Sequence, residues 1–277
     1  MPKETVLVVG LGEVGRPLFE LLDESGKFIV FGFDTDKSKM QSLRQTTLPN
    51  KVDIIHICLP CSNKSKFVDV VTSYIGKFEP KLVIVNSTVP LKTTIGIYEK
   101  CSNCLVAHSP VRGVHKNPEY MKGELKRWTK YVGGANAKAA DAARNHFEKL
   151  GLKTKVLKSC TETELAKLFE TTYRAWMIAC FQEMHRISNR VGADFADVVD
   201  FIEDTHRIRS DRPVMFPDVI GGHCLIPNVE LLLESYDSKL LRLILDSNEK
   251  RKEEVKDKRV SEEVERIKRK LEKHKQS

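Results

Sequence analysis
The sequence predicts an α/β chain in which a doubly wound, mostly parallel sheet is followed by an all-helical region built on one long central helix. Three observations predict it. A glycine turn joins an apolar, β-prone run to a helix near the N-terminus, short apolar strands then alternate with helices up to residue 157, and residues 161–190 contain neither proline nor glycine. The expected divisions are 1–158 for the sheet domain, 159–248 for the helical domain and 249–277 for a charged helical tail.

Thr5 to Val9 is the first strand, and Gly10-Leu11-Gly12-Glu13-Val14-Gly15 leads into a helix from Arg16 to Glu24 with Leu18, Leu21 and Leu22 on one side. A second strand, Phe28 to Phe33, ends on Asp34. This is the fingerprint of a Rossmann domain: Gly10 permits the tight turn, Gly12 lets the backbone approach a pyrophosphate, and Gly15 lets the helix pack on the strand. The helix N-terminus faces the phosphate charge, so Leu11, Glu13 and Val14 are expected beside the cofactor. Asp34, with Asp36 behind it, suits a free ribose 2′-hydroxyl and repels a 2′-phosphate; NAD is therefore expected over NADP, with Lys37 and Lys39 arguing the other way.

The alternation continues with strands over Val52 to Leu59, Leu82 to Asn86, Leu105 to Ser109, Tyr131 to Gly133 and Thr154 to Leu157. Helices are expected over Lys64 to Gly76, Leu91 to Lys100 and Ala135 to Leu150. Ligands of such sheets sit at the carboxyl ends of the strands, so Asp34, Pro60, Ser87-Thr88 and Ser109 to Arg112 should line one crevice. Cys58, Cys61, Cys101 and Cys104 form two CxxC pairs, but they lie too far apart in sequence for a compact zinc ribbon, and no metal site is expected.

From Cys160 the texture changes. Thr161-Glu162-Thr163-Glu164 caps a helix running to Arg190, with an apolar face of Leu165, Leu168, Phe169, Trp176, Cys180, Met184 and Ile187. Its length favours a helical domain shared with a second subunit. A shorter helix follows over Asp194 to Asp204; Thr205 to Pro217, with Arg207, Arg209 and Arg212, reads as a loop, either anion-binding or simply solvated. Gly221-Gly222-His223-Cys224 then puts a thiol on a turn that another group can approach, or packs it as a small hydrophobe. Helices resume over Val229 to Tyr236 and from Ser238, and Val260, Val264, Ile267 and Leu271 form a short seam in the tail, able to pair weakly with another helix or to fray.

Composition narrows the function classes. No apolar run is long enough for a membrane helix, and the N-terminus runs into a strand without a signal-peptide core, so a cytoplasmic protein is expected. Seven scattered cysteines point to reduced thiols. The net charge is +8, but 12 Lys/Arg against 8 Asp/Glu after residue 248 put +4 of it in a mixed-sign tail, which argues against nucleic acid.

Four motifs in order give the chain its resemblance to the UDP-glucose/GDP-mannose dehydrogenase family: the glycine fingerprint, Ser87-Thr88-Val89-Pro90 with Thr93-Thr94, Glu164-Leu165-Ala166-Lys167-Leu168 with Tyr173-Arg174, and Gly221-Gly222-His223-Cys224. The resemblance covers residues from about 5 to 250. It implies an NAD-dependent enzyme, dimeric through the long helix, that oxidises the C6 alcohol of a nucleotide sugar to a carboxylate in two hydride transfers. Cys224 then matches the nucleophile that captures the aldehyde and carries the thioester, Lys167 the lysine that steadies developing oxygen charge, and Thr88 a threonine near the nicotinamide. Arg112, Thr171, Gly221, Gly222, His223 and Asn228 are the expected substrate contacts.

Departures from the family pattern fall on hydrolysis of the thioester. Thr171 stands where the family has Asn, Val111 where it has Glu, and Asn228 where Asp is common. A charged helix occupies the place of the family's further α/β domain, so a chain lacking that nucleotide-gripping domain is expected. Two other readings stay open: a two-electron dehydrogenase of a smaller hydroxy compound, and a non-catalytic NAD-binding dimeric scaffold.

Overall fold
The computed structural model describes residues 2–41, 43, 47–101, 103–114, 116–222 and 224–274, the side chains of 271–274 excepted. The chain divides into two compact units, Met1–Lys167 and Leu168–Ser277.

In the first unit the elements are β1 Thr5–Val9, α1 Gly15–Glu24, β2 Ile29–Phe33, β3 Ile54–Ile57, α2 Lys64–Phe78, β4 Leu82–Val85, α3 Thr93–Lys100, β5 Leu105–His108, α4 Pro118–Arg127, β6 Lys130–Gly134, α5 Ala137–Lys149 and β7 Thr154–Val156. They form one sheet in the order β2-β1-β3-β4-β5-β6-β7. The first five strands are parallel; β6 runs antiparallel to β5 and parallel to β7. Successive strand residues point to opposite faces. Val6 and Val8 accordingly pack with Leu18, Leu22, Met121 and Phe147 of α1, α4 and α5, while Leu7 and Val9 pack with Val71, Phe78 and Ile97 of α2 and α3. The expected doubly wound sheet is what forms. α4 was not expected from the sequence: it is short and polar, and is started by Asn117, whose side chain accepts from the Tyr120 N–H at 2.8 Å, with Pro118 in its first turn.

α6, Cys160–Val191, begins in the first unit and continues into the second. The second unit adds α7 Phe195–Arg209, α8 Leu225–Ser235, α9 Lys239–Glu254 and α10 Lys258–His274. Two expectations need correcting. Residues 205–209 are helix and not loop: α7 runs on until Ser210, whose left-handed backbone (φ 55°) closes it through an N–H to the His206 carbonyl at 2.7 Å. α8 starts at Leu225, four residues early, because Pro227 falls in the first turn, where its missing N–H costs nothing. Of the two readings of the tail seam, pairing and not fraying holds for its described side chains, since Val264 and Ile267 are 2% and 1% exposed and Ile267 packs on Phe181, Phe195 and Val199 of α6 and α7. Ion pairs from Arg266 to Asp194 (2.7 Å) and from Lys270 to Asp200 hold it there.

The apolar face expected of α6 is also not the one its own unit buries. Leu168 is enclosed, but Phe169, Cys180, Met184 and Ile187 are exposed. The buried side carries Ala175, Ile178, Phe181, Gln182, His185 and Ser188.

Candidate active site
In the first unit the glycine turn sits at the carboxyl end of β1, where the chain order reverses between β2 and β3, the usual ligand position in open α/β sheets. Two of its glycines are required by the fold. A Cβ on Gly10 (φ +88°) would lie 2.6 Å from the Cys58 carbonyl oxygen, and one on Gly15 would lie 1.7 Å from the Gly10 oxygen. Gly12 is different: a Cβ there meets nothing within 4 Å. Its openness leaves room for a ligand backbone contact, which is what a pyrophosphate needs. Glu13 is exposed, Val14 partly so, and Leu11 packs into the core.

Asp34 is brought to this turn and is already engaged. One carboxylate oxygen accepts from the Leu11 N–H at 2.7 Å and lies 3.5 Å from the Lys39 ammonium; the other accepts from the Asp36 N–H at 2.9 Å. It therefore shapes the loop beside the glycine turn.

The turns after β4 and β5 are held from beneath by buried polar groups. His108 lies 3.0 Å from the Ser87 carbonyl through Nε2 and 2.8 Å from the Thr163 hydroxyl through Nδ1. A carbonyl only accepts, so Nε2 carries the proton, and Nδ1 shares the single Thr163 hydroxyl proton with the Cys160 carbonyl, also at 2.8 Å. Burial pushes the imidazole down to about 3, so it stays neutral. This places Ser87 and the partly exposed Thr88 at the crevice. Glu164 spans from α6 to the start of α3, accepting from the Lys92 N–H (2.7 Å), the Thr94 N–H (2.9 Å) and the Thr94 hydroxyl (2.7 Å). Lys167, one turn further along α6, is partly exposed. Arg112 is committed within the unit: its guanidinium donates to the Thr129 carbonyl at 2.8 Å and stacks on Trp128 and Tyr131 at 5.0 and 4.9 Å.

The cysteine pairs are set into the same unit. Burial pushes the Cys58 and Cys104 thiols up to about 12, away from the thiolate a metal would take. Among the described residues no three His, Cys, Asp or Glu side chains are gathered as metal ligands.

In the second unit Cys224 caps α8 and is partly exposed. Asn228, one turn on, donates its N–H to the Cys224 carbonyl at 3.1 Å and its side-chain amide to the Thr171 hydroxyl at 3.1 Å. Thr171 in turn donates to the Leu168 carbonyl at 3.0 Å. Two of the expected substrate contacts are thus buried against each other. Gly221 and Gly222 are exposed, and Gly222 (φ +81°) has open space where a side chain would stand. The base of their turn is fixed by the Ile220 N–H on the Asn248 side chain at 2.7 Å. His223 lies outside the described residues.

Sequence reasoning missed His108, Lys130 and Thr163. The contacts that join them to the turns after β4 and β5 lie 20 to 55 residues away; the local signal was a polar residue in an apolar strand for His108, a strand's first position for Lys130 and the first turn of α6 for Thr163.

Comparison with known proteins agrees with both units. Residues 161–250 match the central domain of the UDP-glucose/GDP-mannose dehydrogenase family. The chain is 26% identical to the UDP-N-acetyl-D-mannosamine dehydrogenase of Methanocaldococcus jannaschii over 88% of its own length, and spans 65% of that relative. In fold it resembles the UDP-D-ManNAc dehydrogenase of Pyrococcus horikoshii, with a TM-score of 0.75 at 22% identity over 88% of this chain and 68% of that one. It also resembles the 3-hydroxyisobutyrate dehydrogenase of Mycobacterium tuberculosis, with a TM-score of 0.67 at 18% identity over 92% of this chain and 95% of that one. Among the described residues no helix is long and apolar enough to cross a membrane. The matched central-domain segment contains Lys167, Thr171, Cys224 and Asn228, and the glycine turn stands at the switch point of the sheet, so both units carry features in which this chain is similar to the UDP-glucose/GDP-mannose dehydrogenase family.

Proposed function
We propose that this chain is an NAD-dependent oxidoreductase acting on a primary alcohol of a UDP- or GDP-sugar-like substrate. The observation that carries the reading is the central-domain match over residues 161–250, which includes both proposed catalytic side chains of α6 and α8. The first unit fits the cofactor: Gly12 is open where a backbone must be approached, and Asp34 presents its carboxylate beside the turn. Bound NAD supplies the hydride acceptor.

The protein's own groups do the rest. Lys167 stabilises charge on the substrate oxygen as the C–H bond breaks, and Thr88 orients the reacting end of the crevice. The Cys224 thiolate adds to the aldehyde carbon, forming a C–S bond as the carbonyl electrons move to oxygen. Incubation with NAD and a panel of UDP- and GDP-sugars, followed by NADH absorbance, tests this. Two NADH per sugar supports full oxidation; no NADH with any member, despite NAD raising the melting temperature, removes the substrate assignment.

The proposed assembly is a homodimer along α6. Phe169, Tyr173, Cys180, Met184, Ile187 and Val191 form a stripe of exposed residues, and beside it a groove of about 340 Å³ is lined by Trp176, Ala179, Leu240, Leu243 and Ile244. Sedimentation velocity tests it: a monomer at micromolar concentration sinks this assignment.

A second reading, a two-electron dehydrogenase of a smaller hydroxy compound, is favoured by one observation. The two units together span 95% of the 3-hydroxyisobutyrate dehydrogenase, against 65% of the nucleotide-sugar relative. One NADH per turnover with simple hydroxy acids, and none with sugars, would select it.

A further inference from the structure
Lys130, the first residue of β6, is 4% exposed, and among the described residues no carboxylate balances it. Its ammonium donates to the Ser109 carbonyl at 2.8 Å, reaches the Pro110 carbonyl at 3.5 Å, and lies 4.9 Å from the centre of the Phe147 ring. Ser109 is gripped a second time, its hydroxyl donating to the Tyr131 carbonyl at 2.8 Å. Consecutive residues of β6 thus hold both the carbonyl and the side chain of the residue that opens the wall after β5.

A buried ammonium is unfavourable unless its protons are hydrogen-bonded, and here carbonyl oxygens and one ring face are the compensation. The groups around it make its charge the variable one. His56 of β3 and His108 of β5 are held neutral by burial, as is His146 of α5, which bonds His56 at 2.9 Å. Cys58, just past β3, stays a thiol because burial pushes it up to about 12. Arg112 after β5 and Lys167 of α6 are cations that add repulsion to the larger effect of burial. Together these lower the Lys130 ammonium to about 7, so it alone of this cluster changes charge near neutrality.

We propose that Lys130 is a positioning residue of the crevice: its ammonium pins the Ser109–Pro110 carbonyls from inside the unit, and loss of its proton slackens that wall and weakens ligand binding against it. A charge-assisted hydrogen bond is roughly twice as strong as a neutral one, so the amine holds the turn less tightly. The inference rests on the proposed dehydrogenase reading only for the ligand used as probe.

The test is amide hydrogen exchange of residues 109–114 in the full chain, corrected for intrinsic pH dependence, from about pH 6 to about pH 8, on either side of the lowered titration of the Lys130 ammonium at about 7. Wild type, Lys130→Met and Lys130→Arg are compared, and the NAD dissociation constant is measured alongside. In the wild type, protection of this segment should fall about tenfold across the range, the difference one modest interaction makes. Lys130→Arg should stay protected throughout, Lys130→Met should exchange at the loosened level throughout, and NAD affinity should follow the same three patterns. If Lys130→Met keeps the wild-type pH dependence, or all three proteins exchange alike, the assignment is overturned. Should Lys130→Met not fold, Lys130→Arg decides alone: a profile parallel to wild type overturns it and a flat one supports it. The expected exchange pattern with no NAD binding would leave Lys130 in its role and count against the dehydrogenase reading instead.

Discussion

Both units bury polar groups, and they differ in how much apolar surface they leave outside. In the first, residues 6–9 of β1 are at most 1% exposed and alternate cleanly between two apolar layers. In the second, Gln182, His185, Asn248 and Arg251 are at most 1% exposed, while Val191, Phe201 and Ile208 are at least 72% exposed. Among the described residues of the sheet unit no large apolar side chain is more than 54% exposed, the value at Val114. The helical unit keeps polar groups inside and leaves apolar surface outside, which is the pattern of an element built to be covered. Its interior is organised around Arg251 and His185. Arg251 can only donate, so the His185 Nδ1 accepts from it at 3.1 Å, and His185 therefore donates through Nε2 to Glu263 at 3.1 Å. Arg251 also donates to the Gln182 carbonyl at 2.9 Å.

The comparison is broken most directly at Arg251. Replacing it with Met removes the cation on which His185, the Gln182 carbonyl and Glu254 converge, and leaves the buried His185 Nδ1 and Gln182 carbonyl without that donor, while Glu254 keeps Arg186 at 2.7 Å. Breaking such a network costs about 3–5 kcal/mol, so chemical denaturation should show the second unit unfolding first, with a lowered midpoint. A loss under about 1 kcal/mol would mean the polar interior is not what holds the unit.

How much of this contrast was readable beforehand follows from the range of each signal. The first two strands and their helix are legible within a residue or so at each end, because alternation, a glycine turn and helical spacing are local. The amphipathicity of α6 was equally plain, but not its direction. Phe169 and Ile187 look like core residues by spacing, and nothing nearby says that Ala175, Gln182 and His185 face the unit's own interior. The Thr171–Asn228 bond spans 57 residues and joins two positions recognised separately. Pairing across that distance is a property of the fold.

Lys130, among the described residues of the first unit a buried cation without a carboxylate, tests the contrast from the other side. Lys130 titrates at about 7 when folded against an ordinary value of 10.5. Between those values the unfolded chain binds the proton and the folded chain does not, so stability rises with pH across that window and the contribution is smallest below it. Relative to Lys130→Met, the wild type should gain up to about 1.4 kcal/mol per pH unit from about pH 7.5 to about pH 9. Parallel melting curves for the two proteins over that range would show that the ammonium is not desolvated.

Within the glycine turn, internal fit and ligand access separate by residue. Gly15→Ala forces a Cβ to 1.7 Å from a backbone oxygen, and should cost about 1–3 kcal/mol along with cofactor binding. Gly12→Ala, with open space at the same atom, should change stability by less than about 0.5 kcal/mol yet still weaken NAD. Equal effects of the two on melting temperature would mean that Gly12 also serves the fold.

The smallest expected effect on folding is the sharpest probe of the uncovered surface. Ile187 is 56% exposed on the outer side of α6, and an aspartate there meets water in the isolated chain. Ile187→Asp should therefore leave the unfolding free energy of the monomer within about 0.5 kcal/mol of wild type. In an assembly that covers the stripe, the same carboxylate is desolvated without a partner, which costs far more than the lost methyl contacts. The variant should thus sediment as a folded monomer at concentrations where the wild type is a dimer. A variant that unfolds would instead show that Ile187 supports its own unit, and one that stays dimeric would move the interface off this face of α6.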